Sequence, residues 1–100
     1  MFPLRQIDSE SITIDATAGG VGLTAAKITT RVFQALITIE DAQARYNCYT
    51  APTAAGTEGS PTLDPGDQLI IIGEPDLKSF RAIRTTSTSA VARVSYFGSG

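Results

Sequence analysis

Polar and apolar side chains alternate along several parts of the chain, which is the pattern of a β-strand with one buried face. The segment from Glu10 to Asp15 shows this alternation, and the segment from Gln43 to Thr50 repeats it. Further strands are predicted over 68–72, 80–84 and 90–97. Val, Ile and Thr are plentiful and Lys is rare, a composition that favours strands.

The central segment from Val32 to Ile39 differs because it is apolar at almost every position. Apolar side chains on both faces predict a central strand that is covered on both sides. The shorter segment from Leu23 to Ile28 is ambiguous, since Thr24 to Lys27 would also fit one helical turn. We predict a short strand there.

The longest irregular stretch runs from Ala51 to Asp67 and contains three Pro and three Gly residues. This composition excludes a regular element over most of the stretch. A long loop in a small domain is usually functional or mobile, so we predict that this one is mobile or is ordered by a partner. Gly73 to Asp76 is predicted to be a turn that ends the preceding strand.

About seven short strands with frequent turn signals predict an all-β fold, either a small β-sandwich or a jelly-roll-like barrel. A chain of 100 residues is long enough for one domain with one modest core. We predict an extended N-terminal arm over 1–8, a single β-sandwich domain over 9–97 and a flexible tail over 98–100.

Residue types that catalyse reactions are scarce in this chain. There is no His and Cys48 is the single cysteine, which excludes a Ser-His-Asp triad, a Cys-His pair, a structural zinc site and an internal disulfide. Four acidic residues between 64 and 76 lie close in sequence, but they lack EF-hand spacing, and turn formation explains them better than calcium binding. We therefore predict no enzymatic activity, no metal site and no cofactor.

Charge and hydrophobicity limit the classes of partner. The formal net charge is −2, and the basic residues are scattered rather than gathered into a stripe, so no nucleic-acid partner is predicted. The longest aliphatic run, Leu69 to Ile72, is far too short to span a bilayer, and no membrane partner is predicted. Met1 to Arg5 lacks the features of a signal peptide, and a single cysteine fits folding in a reducing cytoplasm.

Contacts with a partner protein are predicted in the arm and in the long loop. The arm is apolar, yet Pro3 makes it a poor core strand, and exposed apolar groups at a terminus usually find a partner. The predicted contact residues are Phe2, Leu4, Ile7, Thr53, Glu58 and Leu63. Arg and Tyr side chains on exposed strand faces would either line a second interaction surface or be ordinary solvated decoration. These residues are Arg45, Tyr49, Arg81 and Arg93.

Several strand-and-turn segments, spread from residue 11 to residue 97, resemble small virion proteins of tailed bacteriophages, particularly capsid decoration or cement proteins. The segments that carry the resemblance are Ser11–Ile14, Ala18–Val21, Ala44–Tyr46, Ala51–Ala54, Leu63–Asp67, Phe80–Thr85 and Val94–Phe97. The resemblance implies a β-sandwich that sits on the outer face of an assembled capsid, often around a symmetry axis. It implies no catalytic residues.

The resulting expectation is a non-enzymatic phage virion structural protein, a decoration or cement protein that stabilises the assembled head. Its partner would be the major capsid protein or another virion protein, and it would be a homo-oligomer such as a trimer. It would be made in the host cytoplasm and reside on the outer face of the capsid. The alternatives are a head–tail connector, a tail or fibre-associated module, and a small carbohydrate- or ligand-binding β module. The absence of Trp disfavours carbohydrate stacking.

Overall fold

A computed structural model describes residues 4–99, which form eight β-strands, one short α-helix and one 3-10 turn. The strands are β1 (Leu4–Ile14), β2 (Val21–Gly22), β3 (Val32–Glu40), β4 (Ala44–Asn47), β5 (Thr62–Leu63), β6 (Gln68–Ile72), β7 (Arg81–Arg84) and β8 (Ala90–Ser99). The helix α1 is Glu74–Ser79, and the 3-10 turn is Ala25–Lys27.

The strands form two four-stranded sheets, and every pairing is antiparallel. Sheet I has the order β1-β8-β3-β6, and sheet II has the order β2-β7-β4-β5. The prediction of an all-β fold is therefore confirmed. The two long strands β3 and β8 lie in the middle of sheet I, and buried and more exposed side chains alternate along most of each strand.

One buried apolar cluster draws side chains from both sheets. Sheet I contributes alternate residues of its strands, because successive side chains of a strand point to opposite faces. These residues are Ile14, Ala35, Ile37, Ile39, Ile71, Ala90, Ala92, Val94 and Tyr96. Sheet II contributes Ala44, Leu63 and Ala82. Leu77 of α1 and Phe80, which follows the helix, also belong to the cluster, and the Phe80 ring stacks on that of Tyr46 with centroids 6.0 Å apart.

Strand β3 is central in sheet I, as its sequence predicts, but only one of its faces is buried. Ala35 and Ile37 lie in the core, whereas Leu36 and Thr38 on the opposite face stay half-exposed. The prediction that β3 is covered on both sides is therefore wrong. An apolar run shows which side chains a strand carries, but it does not show whether another layer of the protein packs on each face of the strand.

The predicted N-terminal arm is, from Leu4 onward, the first part of β1. Leu4 lies opposite Ser99 of β8, and the register shifts between Gln6 and Asp8, which marks a β-bulge. The predicted boundary at residue 8 thus falls at a bulge inside a continuous strand. The flexible tail predicted over 98–100 also differs from the structure, because Gly98 is buried within β8. Residues 1–3 and 100 lie outside the described part of the chain.

The predicted strand at Leu23 to Ile28 is wrong, because this segment contains the 3-10 turn. Polar side chains of β1 hold the turn in place. Thr24 donates to Glu10 through its hydroxyl at 2.5 Å and through its amide at 3.2 Å, and the Lys27 ammonium lies 3.1 Å from the carboxylate of Asp8. Glu10 also accepts a hydrogen bond from the hydroxyl of Tyr96, and burial of that side chain raises its pKa.

Two further elements differ from the sequence prediction. The turn predicted from Gly73 onward is the start of α1, in which Pro75 occupies the first turn, where its missing N–H removes no helical hydrogen bond. The strand predicted to reach Thr50 ends at Asn47, because the side-chain oxygen Oδ1 of Asn47 accepts from the backbone amides of Tyr49 and Thr50 at 2.8 and 3.0 Å. Such a local bond competes with the strand ladder.

Gly98 provides a test of the β8–β3 contact. A Cβ atom at this position would collide with the carbonyl oxygen of Arg31, which also accepts the amide of Ser99 at 3.2 Å. We expect Gly98→Ala to lower the free energy of unfolding by about 1–3 kcal/mol through overpacking. Ser95→Ala, a change on the outer face of the same strand, should alter it by less than about 0.5 kcal/mol. Equal urea-denaturation midpoints for the two variants would contradict the contact.

Candidate interaction surface

The outer face of sheet II is covered by the loop that follows β4. Arg45 points out from this face, and its guanidinium donates from Nε to the carbonyl of Ala54 at 3.1 Å and from Nη1 to that of Ser60 at 2.7 Å. Asn47, on the same face, donates to the Ser60 hydroxyl at 3.2 Å. Ile83 lies opposite Arg45 in the sheet and is buried. The loop therefore forms a cover over sheet II.

The carboxylate of Glu58 holds this loop in shape. It accepts hydrogen bonds from the Thr53 amide at 2.9 Å, from the Thr53 hydroxyl at 2.6 Å and from the hydroxyl of Ser60. These bonds, the one from Ser60 foremost, lower the pKa of Glu58 from 4.5 to about 2. Pro52, a residue of the same loop, is fully buried. The hydrogen bonds of Glu58 connect the two ends of the loop segment 53–60, while the predicted mobility of the loop, or its ordering by a partner, stays a prediction.

The predicted contact residues of the loop take other positions in the structure. Thr53 and Glu58 bond to each other within the loop, although part of each side chain remains accessible. Leu63 is only 7% exposed and packs in the core cluster. Sequence reasoning placed Leu63 in an irregular segment and therefore missed that it belongs to β5.

The outer face of sheet I carries an exposed apolar cluster at one end. Strand register places Leu36 of β3 directly beside Ile70 of β6, and Gln34 lies between Ile72 of β6 and Phe97 of β8. Ile70 is 54% exposed and Ile72 is 69% exposed, while Leu36 and Phe97 are half-buried. We call these four residues, Leu36, Ile70, Ile72 and Phe97, the apolar face.

The opposite end of the same outer face is polar. Gln68 donates to the Thr38 hydroxyl at 3.4 Å, and Arg93 donates to the Ser11 hydroxyl at 3.0 Å and pairs with Glu40 at 3.1 Å. The apolar face thus lies toward one end of sheet I, and polar side chains border it on the side of the other end. Exposed apolar patches with polar borders are typical of protein-contact surfaces.

The apolar face ends at an open sheet edge formed by β6. The Ile39 amide donates to the Asp67 carbonyl at 3.0 Å, and the Gly73 amide donates to the Phe33 carbonyl at 2.7 Å. Since antiparallel pairing alternates, the backbone groups of residues 68, 70 and 72 point away from β3. Strand β6 contains no Lys or Pro, the residues that commonly protect edges. Within the described part of the chain, exposed apolar side chains and backbone groups without a partner strand therefore meet at one border.

The contact residues predicted near the N terminus only partly coincide with this surface. Leu4 is 52% exposed. Gln6 pairs with Phe97, whose side chain is on the outer side of sheet I, and Leu4 lies two residues before Gln6 in the same strand, so its side chain is on the outer side as well. Ile7 lies at the bulge and packs partly against the core. Phe2 lies outside the described residues.

Sequence reasoning missed Ile70 and Ile72, although their signal was present. In the run from Leu69 to Ile72 the side chains on both faces of the strand are aliphatic. Strand β6 buries only one of these faces in the core. Such a run in an edge strand indicates that one set of side chains is left for another contact. The second proposed surface is not formed, because Arg93 lies on sheet I whereas Arg45 belongs to sheet II and holds the covering loop.

Within residues 4–99 there is no group of three or more His, Cys, Asp or Glu side chains that could hold a metal ion. Cys48 is half-buried, and burial, followed by the nearby charge of Asp76, raises the pKa of its thiol. No helix in this part of the chain is both long and apolar enough to cross a bilayer.

Comparisons with protein-family models, with curated proteins and with solved structures found no match.

The covering loop gives a test of the role of Glu58. In Glu58→Gln one of the three donors loses its acceptor, so we expect faster amide hydrogen exchange over residues 53–60 and a lower melting temperature at pH 7. The folded pKa lies below the ordinary 4.5, so this carboxylate stabilises the fold above about pH 4.5 and loses its effect as the pH falls toward 2.

The difference in melting temperature between the wild type and Glu58→Gln should therefore shrink on acidification. Glu74→Gln is the matched control, because Glu74 forms only an exposed pair with Lys78 at 3.2 Å. Identical exchange over the loop in Glu58→Gln and in the control would show that Glu58 does not order it.

Proposed function

We propose that this chain is a non-enzymatic structural protein of a virus particle, a capsid decoration or cement protein that attaches to the assembled head through the apolar face. The observation that carries the proposal is the exposure of Ile70 and Ile72 beside the open edge of β6. The partner would be the major capsid protein or another virion protein, and the chain would reside on the outer face of the capsid. The resemblance of its segments to small phage virion proteins supports the same assignment.

We also propose that the two sheets pack as a small β-sandwich rather than as a jelly-roll-like barrel. Within the described residues each strand pairs only inside its own four-stranded sheet, and the buried cluster takes side chains from both. A barrel would require hydrogen bonds that continue from the edge of one sheet to the next. A sandwich leaves two outer faces, of which the loop covers one.

The size of the apolar face predicts weak attachment of a single copy. Burying one large aliphatic side chain contributes about 1.5–3 kcal/mol, and association itself costs several kcal/mol of lost translational and rotational freedom. Two well-exposed isoleucines and two half-buried neighbours would leave a small net affinity. Copies linked in a closed oligomer such as a trimer would bind a symmetric shell far more tightly, because each contact raises the effective concentration of the next.

Attachment can be tested by co-sedimentation with assembled shells that lack this protein. We expect Ile72→Lys to weaken shell binding by about tenfold or more, because a charge would replace buried apolar surface. The melting temperature should change little, since the side chain is 69% exposed. Thr13→Lys is the matched control, because Thr13 is also exposed on the outer side of sheet I but lies away from the apolar face.

The outcomes of this experiment distinguish attachment through the apolar face from attachment through another surface and from no attachment. Equal binding of Ile72→Lys and Thr13→Lys would show that attachment uses another surface. Failure of the folded wild-type protein to sediment with shells would rule out decoration. A head–tail connector, or a tail or fibre-associated module, would then be tested in the same way with purified tails.

A further inference from the structure

A cavity of about 450 Å³ lies beside β2, at the border of sheet II. Its lining combines apolar and cationic side chains: Gly22, Leu23, Ala25, Ile28, Lys78 and Arg81. Leu23 and Ile28 belong to the buried core cluster and supply an apolar wall. The volume falls within the range of small-molecule sites, which are mostly apolar with a few placed polar groups.

The guanidinium of Arg81 is held in a fixed position beside this cavity. Its Nη1 atom donates to the carbonyls of Lys78 at 3.2 Å and Phe80 at 2.7 Å. A Cβ atom on Gly22 would collide with the same nitrogen, so the bare backbone of Gly22 makes room for the group. Within residues 4–99, Nε and Nη2 of Arg81 find no acceptor. Nε and Nη2 together form one edge of the guanidinium, and such an edge is able to bind the two oxygens of a carboxylate through two hydrogen bonds.

The positive charge of the cavity is local. The chain as a whole has a net charge of −2, yet the described lining includes two cations and no carboxylate. Lys78 pairs with Glu74 at 3.2 Å, but both side chains are about half exposed, and such a pair is weak enough for Lys78 to contact a second anion. The cavity therefore complements an anionic group joined to a short apolar body.

We propose that this cavity is a binding site for a small aliphatic carboxylate. The carboxylate accepts from Nε and Nη2 of Arg81 and lies near Lys78, while the alkyl chain contacts Leu23 and Ile28. The same chemistry occurs in a free carboxylic acid and in a polypeptide C terminus that ends in an aliphatic residue. The proposal does not depend on attachment to a viral shell.

The binding site can be tested by NMR titration of the ¹⁵N-labelled full chain with hexanoate, hexanol and hexylamine. We expect hexanoate to give saturable shifts confined to residues 22–28 and 78–81. Hexanol should bind about tenfold more weakly because it lacks the charge, and hexylamine should bind least. Equal affinity for hexanol and hexanoate, or hexanoate shifts spread over the whole chain, would overturn the proposal.

Three variants separate the charge of the cavity from its shape. Arg81→Gln should weaken hexanoate binding about tenfold. Gly22→Ala keeps the charge but displaces the guanidinium, so it should also weaken binding, and it remains informative if Arg81→Gln unfolds. Arg84→Gln is the control, because Arg84 is in the same strand, bonds to Ser89 at 3.1 Å and does not line the cavity. Unchanged binding in a folded Arg81→Gln or Gly22→Ala would overturn the proposal.

N-acetyl-leucine distinguishes the two sources of the ligand. Tighter binding of N-acetyl-leucine than of hexanoate would identify a polypeptide C terminus as the better ligand, and the reverse order would identify a free acid. Failure of both to bind would overturn the site.

Discussion

The burial of one face of each sheet in a shared core is the constraint on which the rest of the structure depends. Side chains such as Ile37 and Tyr96 from sheet I meet Ala44 and Ala82 from sheet II, and each large one contributes about 1.5–3 kcal/mol on burial. Two sheets have four faces, however, and one core covers only two of them. Of the remaining two faces, the outer face of sheet II is covered by a loop and the outer face of sheet I is not. This difference determines which surfaces are available for binding.

The outer face of sheet II is closed by polar interactions. A loop that crosses a sheet carries backbone groups that need hydrogen-bond partners. Arg45 donates two hydrogen bonds to carbonyl groups of the loop, and Glu58 accepts hydrogen bonds from an amide and a hydroxyl group of the loop. These charged side chains serve the loop itself. Ile83 is buried beneath this cover, so a chain of this size gains additional apolar burial without a second core.

The outer face of sheet I remains open, and its chemistry differs from that of the cavity in sheet II. Ile70 and Ile72 present a flat apolar surface next to unpaired backbone groups, which suits a protein partner. Arg81 presents a fixed cation above an apolar wall, which suits a small anion. The two surfaces have no residue in common.

The sequence alone determined the all-β class, the strands β6 and β8 to within two residues and the central place of β3, because alternation with period two and short apolar runs are local properties of the chain. Only the tertiary structure decided that α1 forms, since the burial of Leu77 stabilises a helix too short to persist alone. It also decided which faces are covered. Coverage depends on contacts between distant residues, such as Arg45 with Ser60 and Leu36 with Ile70, and no local pattern encodes them.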